Sequence, residues 1–179
     1  MHESVLEFTA RVITAEDVTG QHVIEAGSAN VNGSVRPQIM AMGPASYTGI
    51  DLAPGPGVDV VMDAADLQGP AGLVVSTSML EHSPDWQAAL RGVVGAVAPG
   101  GVLVLTVPSA GFAYHNAPDH WRFSAETMGQ VIGGAGLEVL VLEEDPQAPG
   151  AFLKARKPDG WSWPDDAAVC WARAEVTKP

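Results

Sequence analysis

Three carboxylates and three histidines are the side chains in this sequence best placed to do chemistry. Glu25, Asp51 and Asp63 each close a short apolar run, so each falls at a strand end. Gly27 follows the first of them, where a backbone without a side chain can approach a ligand. Asp51 arrives some two dozen residues later. A carboxylate at the end of a second strand can accept both hydroxyls of a ribose. Asp63 can accept from an adenine amino group, or be a solvated edge residue. His82, His115 and His120 are the candidate bases, since imidazole takes a proton near neutral pH. The last two lie in the loop richest in reactive groups, with Tyr114, Asp119, Trp121 and Arg122. There Asp119 can orient a histidine and Trp121 can wall a pocket. The alternative is structural: Arg122 pairs with Asp119 or Glu126, while Trp121 and Phe123 pack the next helix. For Glu81-His82, a role at a helix entry competes equally with catalysis. No third ligand stands at useful spacing from the two histidines and Asp119, so no metal site is expected.

The sign of Glu25 discriminates between nucleosides. A pyrophosphate needs a glycine-rich turn at a helix N-terminus. Here Gly27 is followed by Ala29 and Val31 at the alternating positions, and Glu25 would repel the phosphates. A sulfonium and an ammonium would be attracted instead. The set Glu25, Asp51 and Asp63 therefore fits S-adenosylmethionine better than a nicotinamide dinucleotide. The chain carries 9 Lys plus Arg against 21 Asp plus Glu, a formal charge of −12. Phosphate binding needs clustered cations, so nucleic acid is not expected as a partner. The excess is compatible with a cationic ligand, although an acidic surface for solubility is the plainer reading.

Short apolar runs alternating with helical patterns predict an α/β sheet, mostly parallel. An amphipathic helix is predicted over 1–18, then strands over 22–25, 47–52, 58–63, 73–77 and 102–107. Only residues 53–57 separate the second strand from the third. That is too few for a crossover helix, so the third is expected as a short edge strand. Ser34 is a plausible N-cap for a short helix to Gly43. Ser83-Pro84-Asp85 predicts a helix start with Ser83 as N-cap, and Ser124 predicts another. Residues 137–144 and 151–155 read as an antiparallel pair. The tail after Lys157 holds Trp161, Trp163 and Trp171 but is rich in Asp and Pro, and is expected to be partly ordered.

Taken in order, Val-Ile-Glu25-Ala-Gly27, Tyr-Thr-Gly-Ile-Asp51, Asp63-Ala-Ala, Ser78-Met-Leu-Glu81-His82 and Ala98-Pro-Gly-Gly-Val-Leu-Val-Leu-Thr106 resemble the class I S-adenosylmethionine-dependent methyltransferases. The nearest branch is the small-molecule one called methyltransferase type 11, whose Asp-x-Trp-Arg-Phe segment 119–123 resembles. The similarity covers about residues 23–157. It implies a Rossmann-like three-layer sandwich with a mostly parallel seven-stranded sheet and an antiparallel strand near the C-terminus. It also implies that Gly27 and its neighbours Glu25, Ser28 and Ala29 line the methionine moiety, that Asp51 holds the ribose, and that Leu52 is among the cofactor-binding residues. Asp63 and Ala64 would flank the adenine, and Ser76, Thr77 and Ser78 would close the pocket beside the sulfonium. The family's second and third loop glycines are missing, as is the helix after the second strand. Gly72 replaces the acidic residue usual at the start of the fourth.

These readings predict one methyltransferase domain over 1–157 and a tail over 158–179. Its acceptor would be a small molecule, with a second copy of the chain able to complete an open pocket. Cys170 is the only cysteine, so no internal disulfide is expected. With no signal peptide or membrane span recognisable, a cytoplasmic location is expected. Two rivals stand beside this reading: a regulatory binder on the same fold without catalysis, and a nicotinamide-dependent reductase.

Overall fold

A computed structural model describes residues 2–114 and 118–179 of the chain. Seven strands form one sheet: β1 (His22–Ala26), β2 (Ser46–Asp51), β3 (Val60–Val61), β4 (Ala71–Thr77), β5 (Val97–Pro108), β6 (Glu138–Glu144) and β7 (Gly150–Arg156). Their order is β3-β2-β1-β4-β5-β7-β6. All pairings are parallel except the two that β7 makes, with β5 and with β6. This is the Rossmann-like α/β sheet expected, with β3 at one edge. The chain runs outward from β1 to β2 and β3, then returns to place β4 on the other side of β1. That reversal opens a crevice beyond the carboxyl ends of β1 and β4.

Helices α1 (Glu3–Val12), α2 (Ala15–Val18) and α3 (Arg36–Met40) cover one face of the sheet. Val5, Phe8 and Val12 recur on one stripe of α1 and pack with Val23, Leu73, Val104 and Phe152. Helices α4 (Trp86–Ala96), α5 (Ala125–Gly134) and α6 (Ala167–Ala172) cover the other face, against Ile24, Val74, Leu103 and Leu153. Consecutive residues of β1 thus enter opposite cores, as two-sided burial requires. No helix of the described residues is long and apolar enough to cross a membrane.

Several elements differ from expectation. The lead-in helix is broken at Ile13, because Thr14 and Asp17 form a capping box that starts α2 afresh. Helix α4 begins at Trp86 rather than Pro84. Asp85 is its N-cap, accepting from the Ala88 amide at 3.0 Å, while Ser83 Oγ instead bonds the Asp85 carbonyl. Strand β5 starts five residues before Val102, the position expected for it, and β3 is reduced to two residues. Ser124 caps α5 as expected, through the Thr127 amide. The tail is packed, not loose. Trp171 is 1% exposed and its indole donates to the Val131 carbonyl at 2.7 Å. The Arg91 guanidinium lies over Trp163 and Trp171. These apolar and π contacts outweigh the Asp and Pro content on which the expectation rested.

Candidate active site

A cavity of about 820 Å³ lies across the carboxyl ends of the strands. Its first wall is the turn after β1. Gly27 has φ +82°, and a Cβ there would stand 2.6 Å from Met79 Cβ. Only glycine satisfies both the left-handed backbone and that approach. The amides of Gly27 and Ser28 both donate to the Ile50 carbonyl, at 2.9 and 3.0 Å. The turn is supported from below by the Pro-Gly-Pro-Gly linker after β2. Asn30 N donates to the Pro56 carbonyl at 2.7 Å, and a Cβ on Gly57 would meet the Ser28 carbonyl at 2.5 Å. The linker thus supports the loop in which the two further glycines are missing.

Gly27, Ala29, Asp51, Leu52, Asp63 and Ala64 line this half of the cavity, followed by Thr77 and Ser78. Asp51 is oriented by the Ala29 amide, which donates to its Oδ2 at 3.1 Å. Asp63 caps a 3-10 turn at Ala64–Asp66 through Oδ1 and the Ala65 amide. Ser78 is held at φ +50°, the one positive-φ residue other than glycine among the described residues. Strain of that kind concentrates at functional sites. The ionisable side chains lining the cavity are Asp51, Asp63, Glu81, Asp145, His2 and His82, and among the described residues no lysine or arginine joins them.

Three of the expected cofactor contacts are not in the lining. Glu25 is buried behind the strand ends, where its Oε2 accepts from the Tyr47 hydroxyl at 2.6 Å. Burial raises its pKa to about 7, opposed by the Tyr47 hydrogen bond and by Arg36. Strand alternation turns its side chain toward α3, so the charge argument built on it passes to Asp51 and Asp63. Ser28 Oγ packs beside Gly49, and Ser76 is wholly enclosed in the sheet.

The three histidines separate. His82 lines the cavity. Its Nδ1 lies 2.5 Å from the Pro118 carbonyl, an obligate acceptor, so that nitrogen carries the proton and Nε2 is the basic one. Nε2 stands 3.8 Å from Oε1 of Glu81. Glu81 is fully buried, and that burial raises its pKa to about 8. His120 is directed elsewhere: its ring packs on Trp121 and its amide donates to the Glu81 carbonyl. His115 lies outside the described residues.

Of the expected acceptor contacts, none reaches the cavity. Arg122 and Asp119 form a buried two-bond ion pair, 2.5 and 2.8 Å. The hydrogen bonds it donates to Asp119 raise the guanidinium's pKa further. Arg122 also donates to the carbonyls of Phe112 and Ala113, and its backbone pairs with Thr177 of the tail. The Trp121 indole donates to the Ser83 carbonyl at 2.7 Å, and Tyr114 is exposed outside the cavity. The far wall comes from residues that sequence reasoning passed over: His2 and Val5 of the first helix region, Phe112, Asp145, Phe152 and Thr106. Ser4 Oγ donates to Asp145 Oδ2 at 3.0 Å and joins α1 to the turn before β7. Nothing local in those residues marks them; only the sheet order brings them together.

The fold and this cavity define a Rossmann-like nucleoside-binding protein whose site suits a cationic nucleoside. S-adenosylmethionine fits this lining: carboxyl groups with no lysine or arginine among the described residues, a close-approach glycine, and Asp51 at the end of β2. The chain belongs to the methyltransferase domain family, whose model matches residues 2–144. No curated protein shows significant sequence similarity to it. Among solved structures, an S-adenosylmethionine-dependent methyltransferase from Listeria monocytogenes is 13% identical, with a TM-score of 0.66 over 87% of this chain and 99% of that one. A chain of the Haloferax volcanii complex between the Trm112 activator and a methyltransferase is 15% identical, with a TM-score of 0.69 over 90% and 91%. Magnesium protoporphyrin IX methyltransferase from Synechocystis with bound S-adenosylhomocysteine is 15% identical, with a TM-score of 0.67 over 87% and 82%. The likeness is one of fold: the seven-stranded sheet is that of the S-adenosylmethionine-dependent methyltransferases.

Proposed function

We propose that this protein transfers a methyl group from S-adenosylmethionine to a small-molecule acceptor. The observation that carries this is the composition of the cavity: Asp51, Asp63 and Asp145 line it with no lysine or arginine among the described residues, while burial keeps Glu81 beside them protonated. A sulfonium with an ammonium is stabilised there, and a pyrophosphate is repelled. When bound, the cofactor supplies an electrophilic methyl group. Asp51 accepts the ribose hydroxyls, and Gly27 with Ala29 leaves room for the methionine chain. Asp63 and Ala64 flank the adenine. These contacts fix one reactant, and positioning of that kind supplies much of the rate in a displacement.

His82 is the base in this reading. The Pro118 carbonyl holds the proton on Nδ1, so Nε2 takes the acceptor's proton. The 820 Å³ cavity lies within the range of small-molecule sites. The test is label transfer from methyl-labelled S-adenosylmethionine across a panel of phenols and amines. Labelled product is expected, and His82→Ala should lower its rate by roughly 10²-fold or more. Cofactor binding with no label in any product would favour a regulatory binder instead.

A further inference from the structure

Thr77 and Thr106 are register partners on β4 and β5. Register partners on neighbouring parallel strands point to the same face, about 4.8 Å apart. Both line the cavity, at 5% and 1% exposure, and neither hydroxyl has a hydrogen-bond partner. A buried hydroxyl without a partner is costly and uncommon. Two of them side by side in a cavity wall indicate that what the cavity holds completes them.

Their place in the sheet says which part of the cargo that is. Strands β4 and β5 stand between the half lined by Asp51 and Asp63 and the half lined by Phe112 and Phe152. The first half belongs to the cofactor in the reading above. The second is apolar and aromatic, with His2 and Asp145 as its polar margin. Each hydroxyl offers one donor and two lone pairs but no charge, so the pair suits a hydroxyl or amine and cannot neutralise an anion. No lysine or arginine among the lining residues does so either.

We propose that Thr77 and Thr106 form a two-hydroxyl cradle that receives the methyl-accepting oxygen or nitrogen of a compact aromatic acceptor carrying no negative charge. This rests on the methyltransferase reading. Thr106 is then an acceptor-binding residue, and the aromatic half of the cavity selects phenols and aryl amines over carboxylates.

The test uses the full chain loaded with S-adenosylhomocysteine, with 4-ethylphenol, tyramine and 3-(4-hydroxyphenyl)propionate as neutral, cationic and anionic probes. Calorimetry should show the first two binding at least about tenfold more tightly than the third. Thr106→Val should weaken their binding by about tenfold or more, with homocysteine-nucleoside affinity unchanged. Because the variant removes a hydroxyl with no partner, its melting temperature should hold or rise, whereas a structural hydroxyl would lower it. Thr106→Ser should retain the probes, and it serves as the measurement if the valine variant does not fold. Equal or better binding of the propionate, no binding of any probe, or unchanged probe affinity in Thr106→Val would each overturn the cradle. Failure of S-adenosylhomocysteine itself to bind would instead overturn the methyltransferase reading.

Discussion

The turn after β1 and the segment before α5 differ in what their polar groups are bonded to. The first, residues 27–33, carries Gly27 where a Cβ would meet Met79 and few reactive side chains, yet it walls the cavity. The second, residues 118–124, carries histidine, aspartate, tryptophan and arginine. Asp119 is bonded to Arg122, Arg122 also to the Phe112 and Ala113 carbonyls, Trp121 to Ser83, and Ser124 to α5. In the segment before α5 the protein itself supplies these partners, and none of Asp119, Trp121 and Arg122 lines the cavity. A polar group whose partner is missing inside a cavity, such as Thr77 or Thr106, faces a ligand. Reactivity of a side chain in isolation does not distinguish the two.

That contrast can be broken most easily at Arg122. Arg122→Ala strips the buried Asp119 of its counter-charge and removes the anchor of the tail. A loss of about 3–5 kcal/mol in denaturant unfolding is expected. A normally stable variant with only a raised KM would return this loop to the acceptor site. Gly27→Ala comes next. Its Cβ would meet Met79 at 2.6 Å, at φ +82°. About 1–3 kcal/mol of stability should be lost, along with cofactor affinity, both readable by thermal shift with and without S-adenosylhomocysteine.

Glu81 sharpens the comparison through pH. Its folded pKa, about 8, lies above the 4.5 of an unperturbed glutamate, so the folded state holds a proton that the unfolded chain releases. The stability this proton contributes is whole below about pH 4.5 and is lost as pH rises through 8. Glu81→Gln should therefore flatten the fall in melting temperature over that window. Glu25, raised to about 7, contributes the same sign and should leave a shallower slope behind. An unaltered slope in the variant would mean that Glu81 is ionised in the fold. The smallest effect belongs to His120→Ala, which should leave turnover within about twofold, as expected away from the cavity.

Much of the architecture was legible because period and punctuation carry it. The edge position of β3 followed from a five-residue linker. The antiparallel strand followed from two runs joined by a Pro/Gly loop. The half of the cavity lined by Asp51 and Asp63 was legible too, because its residues sit at strand ends close in sequence to a turn. The half lined by Phe112 and Phe152 was not. His2, Phe112, and the pair Asp145 and Phe152 come from three separate regions and converge through the β5-β7 pairing and the packing of α1 against β7. The burial of Glu25 was missed because a two-residue period does not say which face a strand end presents. The tail was misjudged because its Asp and Pro content concealed Trp171 packing onto α5.

The central claim is that the carboxylate-lined cavity holds a cationic nucleoside at Asp51. It is tested most directly by calorimetric titration of wild type and Asp51→Ala with S-adenosylmethionine, S-adenosylhomocysteine and a reduced nicotinamide dinucleotide. Both adenosyl compounds should bind wild type at one site and the dinucleotide should not. Asp51→Ala should weaken them by about 10- to 100-fold, the loss of a charge-assisted hydrogen bond to the ribose. Absence of adenosyl binding, or undiminished affinity in Asp51→Ala, would contradict the account.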